Sequence, residues 1–143
     1  MKAFLLALAG AAALGGVVAW GGADDAAVKK DLKALAGRWK IDSLENPQGK
    51  DPSFEGVPVV FQEVDMEFTK DGETKKARIK INPAGKPREI DITPEGKDEF
   101  LPGIYAVEGK TLKLCLMMDP NGARPNTFEA KEKQVLVVLK RAD

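Results

Sequence analysis

The sequence predicts an all-β fold: an antiparallel up-and-down barrel of about eight strands, preceded by one short helix. Three observations carry that prediction. The hydrophobic period switches from helical spacing to strict alternation at Gly37, and alternation then recurs to the end of the chain. The alternating runs are separated by tight-turn signals such as Asp71-Gly72 and Glu108-Gly109-Lys110. A tryptophan, Trp39, opens the first strand, and basic residues, Lys140 and Arg141, close the last.

Composition bounds the rest. The chain has 143 residues, with 22 basic and 22 acidic side chains. A balanced charge offers no electrostatic footprint for nucleic acid, and no polybasic run marks a membrane. One cysteine, Cys115, excludes an intramolecular disulfide, and there is no histidine. Without histidine the commonest general base and metal ligand are missing. The only serines, Ser43 and Ser53, lie outside any nucleophile-elbow pattern. No cofactor is expected.

Met1–Ala23 has the layout of a secretory signal: Lys2, an apolar run from Ala3 to Trp20, then small residues. Cleavage is expected after Ala23, leaving 24–143 as one exported domain, periplasmic or secreted, with no membrane attachment. Asp24 to Ala36 reads as a helix capped by Asp24 or Asp25. Val28, Leu32 and Leu35 share one face, and Gly37 ends the helix. This helix is expected to plug one end of the barrel.

Trp39 and Ile41 then alternate with Arg38, Lys40 and Asp42 in a first strand. Glu45 to Pro58 is rich in Pro and Gly and reads as a long loop. Val59–Phe61 is a short strand or a lid. Val64, Met66 and Phe68 alternate with polar residues, turn at Asp71-Gly72, and return through Ala77, Ile79 and Ile81. This is the clearest hairpin. Ile90 and Ile92 define the next strand. Gly103–Val107 and Thr111–Leu116 form a second hairpin. Met118–Pro125 is a polar loop, Thr127–Ala130 a brief strand, and Gln134–Lys140 the last strand. That strand is apolar on both faces, which suits an outer cover, expected from the helix. Closing such a meander buries one face and hides its edges.

Taken in order, Asp31–Lys40, Lys86–Ile92, Gly103-Ile104-Tyr105, Thr111–Cys115, Arg124-Pro125 with Phe128, and Val137–Arg141 carry a resemblance. The chain resembles a family of uncharacterised exported lipocalin-like domains common in planctomycete bacteria. The resemblance implies the lipocalin-like barrel and an exported location. It carries no catalytic residues, and Asn46–Gln62 fits it least.

The expected inward side chains include Trp39, Met66, Phe68, Ile79, Ile90, Tyr105, Leu112, Leu114 and Leu116. An eight-stranded barrel is either filled by such chains or holds one small ligand. A ligand cup would involve Trp39, Phe68, Tyr105 and Leu114, with the Tyr105 hydroxyl orienting the ligand and Arg124 at a loop rim. Arg124 in a local salt bridge is the competing reading. Cys115 is expected to point outward, under the helix, as an inert thiol. Asp65, Glu67, Glu89 and Asp91 read as solvated outer faces, and Asp119–Gly122 as a turn rather than a calcium loop. The lipocalin-like resemblance implies a basic side chain from the end of the chain across the tryptophan of the first strand. Of the two candidates, alternation puts Arg141 on the face of Val135, Val137 and Leu139 and Lys140 on the other, so Arg141 is expected to stack on Trp39 and close the barrel.

Two functions follow. One is a non-enzymatic exported barrel binding a small apolar or amphipathic molecule. The other is a monomeric interaction or inhibitor-like module with a filled barrel, presenting loops 45–61 and 118–125 to a protein, with an apolar patch at Phe54 and Phe61.

Overall fold

A computed structural model describes residues 25–142. The expected signal, Met1–Ala23, and the capping candidate Asp24 lie outside the described residues. Helix α1 spans Asp25–Leu35. Nine strands follow: β1 Gly37–Asn46, β2 Gly49–Lys50, β3 Pro58–Gln62, β4 Asp65–Lys70, β5 Glu73–Asn82, β6 Arg88–Pro94, β7 Leu101–Glu108, β8 Thr111–Met117 and β9 Gln134–Arg141.

Every neighbouring pair is antiparallel, and β1 pairs with β3 on one edge and β9 on the other. Strands β1 and β3 to β9 therefore close into an eight-stranded barrel. Closure removes the exposed edges that an open meander would offer for aggregation. Strand β2 only extends β1, pairing at Glu45 and Asn46. A register shift between Ile41 and Ser43 marks a bulge in the β1–β9 pairing, which continues on both sides of it. On the other edge, Gly37–Lys40 pair with β3, and further along Asp51 N–H donates to the Leu44 carbonyl.

The period-two pattern becomes a buried interior. Trp39, Ile41, Val59, Phe61, Ile79, Ile81, Ile90, Ile92, Tyr105, Leu112, Leu114, Val137 and Leu139 form one cluster with Leu35 and Val57. Helix α1 closes one end, with Leu35 fully buried and Val28 and Leu32 packed against the cluster. Gly37 then turns the chain into β1 at φ 116°, a backbone angle that side chains strain.

The β4–β5 hairpin has the expected two-residue turn. Lys70 faces Glu73, and Asp71 and Gly72 hold φ of 55° and 77°. Open space surrounds the position of a Cβ on Gly72, so any penalty there is backbone strain alone. Gly72→Val is expected to lower stability by about 1–3 kcal/mol. Chemical denaturation of the two proteins measures this, and an unchanged midpoint would contradict it.

Several expectations are corrected. Val64 is not in a strand: it sits in the β3–β4 turn, 41% exposed, after Glu63 at φ 55°. The stretch 59–61 is a strand of the barrel wall, so loop 45–61 is largely ordered elements. Phe61 is buried and Phe54 half-buried against the core, so no exposed apolar patch forms there. Residues 127–130 form no strand. They belong to a strap, 118–133, that lies across the outer faces of β7 and β8. The strap covers Cys115, whose thiol donates to the Glu129 carbonyl at 3.4 Å. The helix caps an end and does not cover Cys115. On the outer side of β9, Leu136 instead lies opposite Cys115.

Candidate functional site

The densest polar chemistry lies where α1 meets the barrel. The register places Trp39 directly opposite Arg141. The Arg141 guanidinium stacks on the indole, 4.0 Å from the ring centroid. It also donates to the Ala36 carbonyl at 2.6 Å and the Ala34 carbonyl at 2.9 Å. These carbonyls lie at the end of α1, where the helix itself supplies no partners, and a cation suits the negative end of the helix dipole. Trp39 Nε1–H donates to the Leu35 carbonyl at 2.8 Å. The first strand and the chain's last strand thus hold the helix together.

A second lock is absent from the sequence reading. Asp31 is buried and accepts from the Tyr105 hydroxyl at 2.6 Å. Arg88 reaches the same carboxylate oxygen at 3.1 Å. A signal for it exists in the sequence. Asp31 falls three residues after Val28 and four before Leu35, on the apolar stripe of the helix. An acid at such a position needs a buried partner. Nothing in the spacing identifies that partner as Tyr105, 74 residues away.

Burial, and then the bond to Asp31, push the Tyr105 hydroxyl well above its ordinary pKa of 10.0. The folded state therefore keeps this proton more tightly than the unfolded chain does. Its contribution to stability is full below about pH 10 and falls as the pH climbs toward the raised folded value. Tyr105 is the only tyrosine in the chain. Tyrosinate absorbance is expected to stay absent above pH 10 until alkaline unfolding. Ordinary titration near pH 10 with retained fold would contradict the buried bond.

Arg124 is a fastener of the strap. It donates to the carbonyls of Ile90 at 3.2 Å and Gly103 at 2.9 Å, and pairs with Asp91 at 2.7 Å. The Asp91 side chain is 19% exposed, so the expected solvated face is a half-buried ion pair. Burial is the first cause that raises the pKa of the Cys115 thiol beneath the strap, which leaves it a poor nucleophile. Asp119–Gly122 is the expected turn, closed by Gly122 N–H donating to the Asp119 carbonyl.

The structure brings Trp39, Tyr105 and Leu114 together inside the barrel, but not as the wall of a cup. Every side chain of the core cluster is at most 7% exposed, so little water-sized space lies beside them. The Tyr105 hydroxyl is directed to Asp31 rather than to an open cavity. Phe68 is half-buried toward the end opposite the helix, and Arg124 lies on the outer surface. At that opposite end Leu44, Phe54, Phe68, Leu116 and Val135 form a partly buried apolar rim.

Two clefts open on the outside. One, of about 620 Å³, is lined by Val60, Gln62, Glu67, Lys76, Arg78 and Thr93 among others. The other, of about 670 Å³, lies between the strap and the barrel beside Met117, Asp119, Arg124 and Gln134. Neither includes Trp39, Tyr105 or Leu114. Among the described residues, no group of three or more acidic or cysteine side chains is arranged to hold a metal ion. No helix of the described residues is long and apolar enough to cross a membrane. No protein-family model matches the chain, and no curated protein or solved structure matches it either.

Proposed function

We propose that the protein is an exported, monomeric, non-enzymatic interaction module that works through the outside of a filled barrel. One observation carries this reading: the interior side chains, from Trp39 to Leu139, are almost wholly inaccessible. A barrel that stores a ligand needs volume between such chains, and here bulky residues use it. The non-enzymatic part rests on composition, since a chain with no histidine and only two serines lacks the usual base and nucleophile pairings. The exported part rests on the signal layout of Met1–Ala23.

Native mass spectrometry of freshly purified protein tests it. The expected spectrum shows the polypeptide mass alone. A retained lipid-like species would overturn the filled-barrel reading. It would favour the second one, in which the apolar rim at Leu44, Phe54, Phe68, Leu116 and Val135 seats an apolar or amphipathic ligand. Such binding would be insensitive to salt, because those rim side chains carry no charge.

A further inference from the structure

The chain has no net charge, but the fold sorts the charges by position. Lys29, Lys30 and Lys33 on α1, Arg38 at the start of β1, Lys86 before β6 and Lys110 in the β7–β8 turn gather at the helix-capped end. All six are exposed, and none pairs with an acid among the described residues. Their acidic neighbours are fewer: Asp25, Glu63 and Glu108 are exposed there, Asp65 and Glu89 lie 3.9 Å from Arg78 and Arg124, and Asp31 is turned inward and matched by Arg88. On the adjoining wall Lys40 and Lys140 face each other directly across β1 and β9. Like charges in that position are unfavourable, so they add to the same positive field. Toward the other end, Lys70, Lys75 and Lys133 are matched locally by Asp71, Glu73 and Asp119.

We propose that the helix-capped end docks on an anionic lipid surface. Charge complementarity is the argument, since clustered lysines are drawn to acidic headgroups within a Debye length. Insertion of α1 is not involved, because Val28, Leu32 and Leu35 already face the core. Docking is electrostatic, reversible and weakened by salt. It is independent of whether the barrel interior is filled.

Co-sedimentation of the exported protein with phosphatidylcholine vesicles, with and without phosphatidylglycerol, tests this. Partitioning onto the anionic vesicles is expected to be ~10-fold stronger or more, and to collapse as salt is raised. The triple variant Lys29→Glu, Lys30→Glu, Lys33→Glu is expected to lose most of that preference. A second variant, Lys86→Glu with Lys110→Glu, lies off the helix and should weaken binding even if the first disturbs α1. A control with the same change in net charge, Lys50→Glu, Lys76→Glu, Lys97→Glu, should stay within about twofold of the parent. Equal partitioning on neutral and anionic vesicles overturns the proposal, as does a control that falls as far as the helix variant. Tight retention on heparin at salt that abolishes vesicle binding overturns the choice of lipid in favour of a polyanionic polymer.

Discussion

Arg141→Ala is expected to destabilise the protein by about 3–4 kcal/mol, while Lys140→Ala changes stability by less than about 0.5 kcal/mol. The difference has two sources. The guanidinium over Trp39 contributes about 0.5–2 kcal/mol, toward the upper part where the ring is fully buried. Its two bonds to the Ala34 and Ala36 carbonyls add about 1.5–3 kcal/mol, because the helix end otherwise lacks donors. Lys140 only touches Thr111 on the surface. From alternation alone, a Trp39→Leu background would remove most of the difference between the two variants. The carbonyl bonds change that expectation. In the Trp39→Leu protein Arg141→Ala should still cost about half its original effect, because only the ring contact is gone. Denaturant melts of the four proteins measure this. Equal effects of Arg141→Ala and Lys140→Ala would contradict the closure.

Asp31→Ala is expected to cost about 3 kcal/mol, and Tyr105 rather than Arg88 should account for most of it. The Tyr105 side chain is 1% exposed, so losing its acceptor strands a buried hydroxyl. The Arg88 side chain is 47% exposed and its ion pair is screened by solvent. Arg88→Ala should therefore cost no more than about 1 kcal/mol. Tyr105→Phe alone should cost about 1–2 kcal/mol, because Asp31 keeps Arg88 as a partner. The double variant Asp31→Ala, Tyr105→Phe should be less damaging than the sum, since neither side then leaves an orphan. Strict additivity would show that the two side chains do not share a bond in solution.

How much was legible in the sequence depended on distance along the chain. The β4–β5 hairpin is legible because a two-residue turn and a period of two are local properties. Its start is not, since Val64, an apolar residue in a turn, looks like the first residue of a strand. Strand β3 is ambiguous between strand and lid because Pro58–Gln62 is too short to establish a period. Residues 127–130 resemble a strand for the same reason.

Alternation, turn chemistry and the helix-to-strand switch at Gly37 by themselves determined the barrel, most of the side chains that line it, and that Arg141 rather than Lys140 shares the inward face, although the contact with Trp39 itself is implied only by the lipocalin-like resemblance. The first three follow from a period of two applied to a meander that must close. Only the tertiary structure decided the rest. It buried Trp39, Tyr105 and Leu114 in one cluster and turned the strap over Cys115. It directed Arg124 to the Ile90 and Gly103 carbonyls and locked Asp31 to Tyr105. It also gathered lysines from α1 and two distant turns at one end of a chain with no net charge. Those features join residues far apart in sequence, and no local preference of the backbone records which distant partner a buried acid or an exposed lysine will find.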